Sequence, residues 1–297
     1  MVELNGEKQS CGKAFRIGNS PSAQAKPVAK NRYFICALIK DEHACLREWA
    51  LHHRSLGFDK IILYDDSSSQ PYDGVVGDLI KEGFVEMRPW SDGRWSRQSR
   101  AFNEFVWSGN WGDGDYCAFI DPDEFIFFDS ARNIDEFMEN YRQYAGVGLS
   151  WRLYNANGRI KSPVGIPTPQ AYTCEFEYWE PKIKVIGRLK DIEKFPTVHH
   201  FVPKRGKLVT TGGQTIYGMT PKYSDFTNGH IKHYITKSWE DWVKRLKRGN
   251  ITKGLRTVNM FFRFNPDLQP LKFELTKDLD YDEFPTLFSD DIKWDGD

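Results

Sequence analysis

The sequence predicts an α/β fold, a mostly parallel sheet flanked by helices, and three observations lead there. The run YFICALI (33–39) is continuous, apolar and β-rich, the pattern of a strand covered on both faces. Leu46, Trp49, Ala50 and His53 follow at helical spacing, and Gly57 closes that helix. A second apolar run, 60–64, comes at once, so strand, helix and strand succeed one another within about thirty residues. That order is a βαβ unit with parallel strands and a right-handed crossover.

The remaining elements follow in order. Residues 1–30 mix Ser, Ala, Lys, Pro and Gly without periodicity, which predicts a flexible N-terminal arm ahead of a domain spanning 31–265. A third strand is expected over 84–87, a helix over 98–107, and a fourth strand over 116–120 that runs into acidic residues. Ile134, Phe137, Met138 and Tyr141 mark a further helix, and 147–154 another strand. Residues 155–230 are rich in Gly, Pro, Tyr and Thr, the composition of long loops and hairpins laid over a site. Order returns over 230–235. Ser238 with Asp241 three residues on then gives a capping-box start to a helix whose stripe is Trp239, Trp242, Val243 and Leu246. Residues 266–297 read as an acidic tail packed on the surface.

Composition excludes whole classes. A chain of 297 residues, 40% hydrophobic, can bury a sizeable core and is neither fibrous, collagenous nor disordered. Lys+Arg and Asp+Glu stand at 41 each, so the chain has no general attraction for nucleic acid and any anion site must be local. No apolar run is long enough to span a membrane, and the first residues lack the apolar middle of a secretory signal; the expectation is a soluble, cytoplasmic protein. The five cysteines are odd in number, scattered and without a CxxC pair, which predicts reduced, mostly buried thiols rather than disulfides or a zinc knuckle. The ten tryptophans suit stacking on sugar rings, and core packing accounts for them equally well.

The most informative stretch is YCAFIDPDEFIFF (116–128). A buried strand delivers Asp121, Asp123 and Glu124 at its carboxyl end, where ligands bind in open parallel sheets. Strand periodicity aims Asp121 and Asp123 the same way, and two such carboxylates repel unless a cation lies between them. Hard oxygen ligands without a neighbouring Cys or His favour Mg2+ or Mn2+ over zinc. Acids also end strands and begin turns, but flanks this apolar leave little other reason for charge. LYDDSS (63–68) again places acids at a strand end; Asp65 and Asp66 there suit ribose hydroxyls and turn formation alike.

Taken together, ICALIKDEHACLREWALHHRSLGFDKIILYDDSS, QSRAFNEFV, YCAFIDPDEFIFF, WRLYNANG and HYITKSWEDWVKRLKRG resemble the GT-A-fold glycosyltransferases, in particular the family 2-like and family 92-like groups, over residues 33 to about 250. The resemblance implies a Rossmann-like, GT-A-like sheet with a nucleotide-binding half (31–130) and a loop-rich acceptor-side half (131–265). It implies Asp123 as a metal ligand and Asp121 as the acid facing ribose and the metal. Asp65 and Asp66 resemble acids beside the base, and Lys40, Asp41 and Glu42 the first nucleotide-facing loop. Gln98, Arg100 and Asn103 match the helix before the metal-binding strand. Trp151 and the turn 155–158 resemble the acceptor-side segment, with Tyr154 and Asn155 departing from its usual Phe and Gly.

Transfer from a nucleotide diphosphate requires stabilising the charge that grows on the departing diphosphate, which a divalent ion and cationic side chains do. His233 at a strand end and Lys237 before a helix are candidates, and the resemblance points the same way. His199 competes with its neighbour His200; adjacent strand residues face opposite ways, so at most one reaches the site. For the base, Glu175, Glu177, Asp191 and Asp225 all lie in the acceptor-side half and spacing selects none; Asp225 is preferred for its nearness to the HIKHY strand. The expectation is a Mn2+- or Mg2+-dependent transferase with a UDP- or GDP-sugar donor and a glycan acceptor. The alternatives are a non-catalytic carbohydrate-binding protein and a metal-dependent phosphoesterase.

Overall fold

β1 (Arg32–Ile39), α1 (His43–Ser55) and β2 (Lys60–Asp65) form the expected βαβ unit, with Phe34 opposite Lys60 and Ile39 opposite Asp65 in parallel register. The computed structural model describes residues 30–91, 96–176, 181–218, 220–248 and 257–279. The arm 1–29 and the tail beyond 279 lie outside the described residues. α2 (Asp73–Lys81) follows, a helix the sequence hides because Gly74 and Gly77 interrupt a stripe made only of Val76 and Leu79. β3 (Val85–Pro89) adds parallel to β2, and after α3 (Arg97–Ser108) the strand β4 (Asp115–Phe119) adds parallel to the other side of β1.

Alternation along β1 builds the layers. Tyr33, Ile35, Ala37 and Ile39 pack with Leu46 and Trp49 of α1, whereas Phe34, Cys36 and Leu38 pack with Phe102 and Phe105 of α3. The buried thiols Cys36, Cys45 and Cys117 and the exposed Cys174 are free, while Cys11 lies outside the described residues.

Past β4 the chain turns through Asp121 and Pro122 and reverses into β5 (Glu124–Phe128). α4 (Ile134–Met138) and β6 (Gly146–Tyr154) complete the elements foreseen there. The next segment departs from the expected loops. Besides a single turn α5 (Thr168–Ala171) and the short β7 (Glu175–Phe176), it contributes β8 (Ile183–Arg188), which lies inside the main sheet, antiparallel to both β4 and β6. Lys184 and Gly187 mask its apolar pattern. Gly187 is required by the approach of the aromatic layer, since a Cβ there would lie 2.7 Å from Phe201. β9 (Ile192–Lys194) pairs with β10 (Val202–Pro203) in a separate ribbon, and β11 (Leu208–Thr210) joins β6.

β12 (Gly229–His233) inserts between β6 and β5, giving the order β3-β2-β1-β4-β8-β6-β12-β5. β1 to β4 (β5 excluded), β6, β11 and β12 all run one way, and β5, β7 and β8 run against them. The carboxyl ends of the first set and the amino ends of β5 and β8 therefore share one edge. α6 (Trp239–Arg248), α7 (Val258–Phe264) and α8 (Lys272–Thr276) close the chain, with Trp239, Trp242, Phe261, Phe262 and Leu268 in a separate small core. The capping box of α6 forms as read: Ser238 Oγ accepts from the Asp241 amide at 3.1 Å, and the Ser238 amide donates to Asp241 Oδ2 at 3.4 Å.

β5 ends the sheet, and α1 satisfies its outer edge. Trp49 Nε1 donates to Glu124 O at 2.7 Å and His52 Nε2 donates to Ile126 O at 2.8 Å. The Ile126 amide donates to His53 Nε2 at 3.3 Å, while His53 Nδ1 donates to Trp49 O at 2.8 Å. Both His53 nitrogens are thus used in the neutral ring, and burial holds its pKa well below the ordinary histidine value. Among the described residues no helix is long and apolar enough to cross a membrane.

Candidate active site

The shared edge gathers the loops that follow β1, β2, β4 and β12, and hydrogen bonds join them into a ring. Asp41, at φ +50°, accepts through Oδ1 from the Ser69 amide (2.7 Å) and Ser69 Oγ (2.8 Å), and its own amide donates to Ser68 Oγ at 2.9 Å. Asp65 Oδ1 in turn accepts from the Ser68 amide at 3.0 Å. These two acids hold the β1 and β2 loops together. The next contacts come from consecutive residues at the amino end of α3. Arg97 Nη1 donates to the buried Asp66 at 2.7 Å, and Gln98 Nε2 donates to Asp121 Oδ1, so one helix start ties the LYDDSS turn to the DPDE turn.

Asp121 Oδ2 accepts from Lys184 Nζ at 3.0 Å, a lysine only 1% exposed on β8. The Asp121 amide donates to Glu124 Oε2 at 2.9 Å, and Glu124 O and N are engaged at the start of β5. Glu124 is fully buried. Burial pushes its carboxyl well above the usual carboxylate range, against the pull of Lys184. Asp123 is also buried, and its Oδ2 lies 2.6 Å from Arg245 Nη2 and 3.6 Å from His233 Nε2. One turn further along α6, Arg248 Nη2 meets Glu42 at 2.7 Å, and Nη1 donates to Lys40 O, which returns the ring to the first loop. Lys237, at φ +53°, is buried just before α6; burial opposes its charge, but Cys45 and Glu42 raise its pKa above the ordinary lysine value.

The structure therefore brings together Lys40, Asp41, Glu42, Asp65, Asp66, Gln98, Asp121, Asp123, His233 and Lys237. Trp151 links the two histidines, with its ring centroid 4.4 Å from His233 and 5.2 Å from His199. His199 Nδ1 donates to Ile183 O at 3.0 Å, which leaves Nε2 as the lone-pair nitrogen, whereas His200 turns to Thr197 Oγ1 at 3.1 Å. Arg100 is half-buried on α3. Tyr154 lies at the end of β6 with its hydroxyl 3.5 Å from Glu175 Oε2.

Other expected site residues have different tasks. Asn103 clamps the backbone of Phe195, donating to its carbonyl at 3.0 Å and accepting from its amide at 2.7 Å; both ends of the amide are spent, which corrects its reading as a donor contact. Asn155 Oδ1 accepts from the Asn157 amide at 2.9 Å and shapes a turn. Asp225 accepts from Thr210 Oγ1, the Gly212 amide (2.7 Å) and the Thr227 amide (3.1 Å). Burial would raise its pKa, but these bonds outweigh that and lower it, the reverse of what a general base needs, so Asp225 is a loop tie. Of the other base candidates, Glu175 pairs with Arg152 at 2.9 Å, Asp191 is buried against Arg188 at 3.0 Å, and Glu177 lies outside the described residues. Sequence reasoning weighed Lys184 only as part of a basic stretch with Lys182 and Arg188, suited to a diphosphate or to a solvated strand face, and missed Arg97, Arg245 and Arg248. Only the last pair carried a signal: basic residues three apart on the face of α6 that follows Trp242.

Acids at the carboxyl edge of a mixed α/β sheet, closed by a late histidine, place the molecule among the GT-A-like glycosyltransferase folds. The profile of glycosyltransferase family 92 matches residues 35–261, and the chain belongs to that family. Similar proteins include a glycosyltransferase family 92 protein of Oryza sativa subsp. japonica, 24% identical over 227 residues (70% of this chain, 37% of that protein). Another, of Ricinus communis, is 25% identical over 223 residues (72% and 37%). The chain thus spans little more than a third of the length of these relatives. Among solved structures, S. aureus TarS aligns over 73% of this chain and 38% of its own at 12% identity and TM-score 0.40. Mannosyltransferase PcManGT from Pyrobaculum calidifontis, in complex with GDP-Man and Mn2+, aligns over 42% and 37% at 12% identity and TM-score 0.33.

The fold family implies a divalent ion, and the chain's own atoms can be tested for it. Among the described residues no three His, Cys, Asp or Glu converge to hold an ion by themselves. A pair does fit. Asp123 Oδ2 and His233 Nε2, 3.6 Å apart, are too far for a strong hydrogen bond but within the span of two ligands each about 2.1 Å from one ion. His233 Nδ1 is buried without a hydrogen-bond partner among the described residues. Carboxylate oxygen and imidazole both serve first-row divalent ions, Mn2+ and zinc among them.

Proposed function

We propose that this chain is a glycosyltransferase that moves a sugar from a nucleotide diphosphate donor, a UDP- or GDP-sugar, to a glycan or glycosylated acceptor, with Mn2+ or Mg2+. The observation that carries the reading is the Asp123–His233 corner set within the ring of loops at the carboxyl edge, the switch region where α/β sheets bind nucleotides. Asp123 and His233 would hold the ion, and Asp121 faces the same corner. A bound divalent ion supplies Lewis-acid neutralisation of the departing diphosphate. Lys237 adds a buried positive charge at the start of α6, next to helix amides that favour anions. The β1 and β2 loops, latched through Asp41 and Ser69, would receive the nucleoside. Trp151 and Tyr154 at the end of β6 provide aromatic surface for a sugar ring. Glu124 Oε2 accepts from the Asp121 amide and keeps the turn in place.

The test is a panel of nucleotide sugars incubated with the chain and Mn2+. Slow donor hydrolysis or transfer that stops on chelation supports the reading. A chain that binds glycans yet turns over no donor is a carbohydrate-binding protein, and phosphate release from simple esters indicates a phosphoesterase.

A further inference from the structure

Arg245 is a charged group at the centre of the site that the transfer reaction does not use. It is 6% exposed, in the middle of α6, and both terminal nitrogens are committed: Nη2 to Asp123 Oδ2 at 2.6 Å and Nη1 to Ile235 O at 2.8 Å. The backbone anchor keeps the guanidinium in the corner even if Nη2 lets go of the carboxylate. Asp123 and Glu42 lie beside it, with Lys237 and Arg248 adding positive charge, so Asp123 already has a cationic partner before any ion arrives. Lys184 already answers Asp121. A divalent ion entering alone would meet two protein ligands, one of them already paired with a cation that cannot leave. The same ion arriving with a diphosphate meets added negative charge and additional oxygen ligands.

We infer that Arg245 is a resident counter-cation of Asp123 that makes metal binding conditional on the nucleotide diphosphate. Resting on the metal reading above, this assigns Arg245 as a positioning residue that acts through Asp123. The coupling is reciprocal: if the nucleotide strengthens the ion, the ion strengthens the nucleotide by the same factor. Once the sugar has left, the diphosphate and ion are released together rather than leaving the ion behind.

The experiment is Mn2+ titration followed by water-proton relaxation, which reads bound ion independently of turnover. It is run with and without UDP or GDP on the wild-type chain, Arg245→Gln and Arg245→Lys. In the wild type, Mn2+ should bind about thirty-fold or more tightly with the nucleotide than without it. Arg245→Gln, which keeps a donor for Ile235 O but removes the charge, should bind Mn2+ alone at least about ten-fold more tightly than wild type and shrink the coupling by that factor. Arg245→Lys should restore the wild-type pattern. Unchanged or weaker Mn2+ affinity in folded Arg245→Gln overturns the inference and leaves the Asp123–His233 corner standing. If that variant fails to fold, the wild type decides: equal Mn2+ affinity with and without nucleotide overturns it. Absence of Mn2+ binding under every condition overturns both this inference and the metal reading.

Discussion

Two arginines on different helices pin acids at this edge. Arg97, at the amino end of α3, is 27% exposed and holds Asp66 at 2.7 Å; Arg245, within α6, is 6% exposed and holds Asp123 at 2.6 Å. Bond length barely differs, but solvation does. Both carboxylates are buried, Asp66 at 3% and Asp123 at 7%, so losing either arginine strands an acid; the difference lies in the guanidiniums, since solvent reaches Arg97 and not Arg245. The α3 side of the ring is therefore held by a partly solvated arginine, and the α6 side by one sealed from water.

The largest expected effect breaks the buried pair. Arg245→Ala should cost about 3–5 kcal/mol in chemical denaturation, the penalty of an unpaired buried charge. Arg97→Ala should cost less in the same assay, because water already reaches its guanidinium even though Asp66 is buried; equal losses would show that exposure of the guanidinium does not separate the two anchors. An intermediate effect comes from His53. Its folded-state pKa lies well below 6.5, so below that value the unfolded chain takes up a proton that the folded chain refuses. Stability should be at its full value above pH 6.5 and fall as pH drops toward 5, and His53→Asn should flatten that slope even though it lowers stability at neutral pH. A smaller effect sharpens the α6 side. Ser238→Ala removes the cap that starts the helix and should cost about 1 kcal/mol, with the loss read as a lower thermal midpoint. Glu124→Gln should cost little stability at neutral pH, because burial already disfavours the ionised carboxyl; a large loss would mean that the charge of Glu124 is needed beside Lys184.

The first part of the sheet was legible because its elements announce themselves locally. YFICALI, the α1 stripe and the 60–64 run each carry their own periodicity, and they fold as read. β8 was not legible, since Lys184 and Gly187 break its apolar run and the pairing that makes it central comes from β4 and β6. The same division runs through the site. Asp121 and Asp123 stand out because charge between apolar flanks is costly, a fact written in one stretch of sequence. Their partners lie far along the chain, Lys184 at a separation of 63 residues and Arg245 at 122, and no local pattern connects them. Asp225 and Asn103 illustrate the opposite error. Nearness in sequence to a strand or helix of the site does not put a side chain into it, and each spends its polar atoms on neighbouring backbone.

The central claim is that the Asp123–His233 corner holds a divalent ion together with the donor's diphosphate. Isothermal calorimetry of UDP and GDP against the wild-type chain and Asp123→Asn, each with and without Mn2+, tests it most directly. The account predicts that one of the two nucleotides binds wild type much more tightly when Mn2+ is present, and that this Mn2+-dependent gain disappears in a folded Asp123→Asn chain. Nucleotide binding that ignores Mn2+ in the wild type, or a gain that survives the substitution, would contradict it.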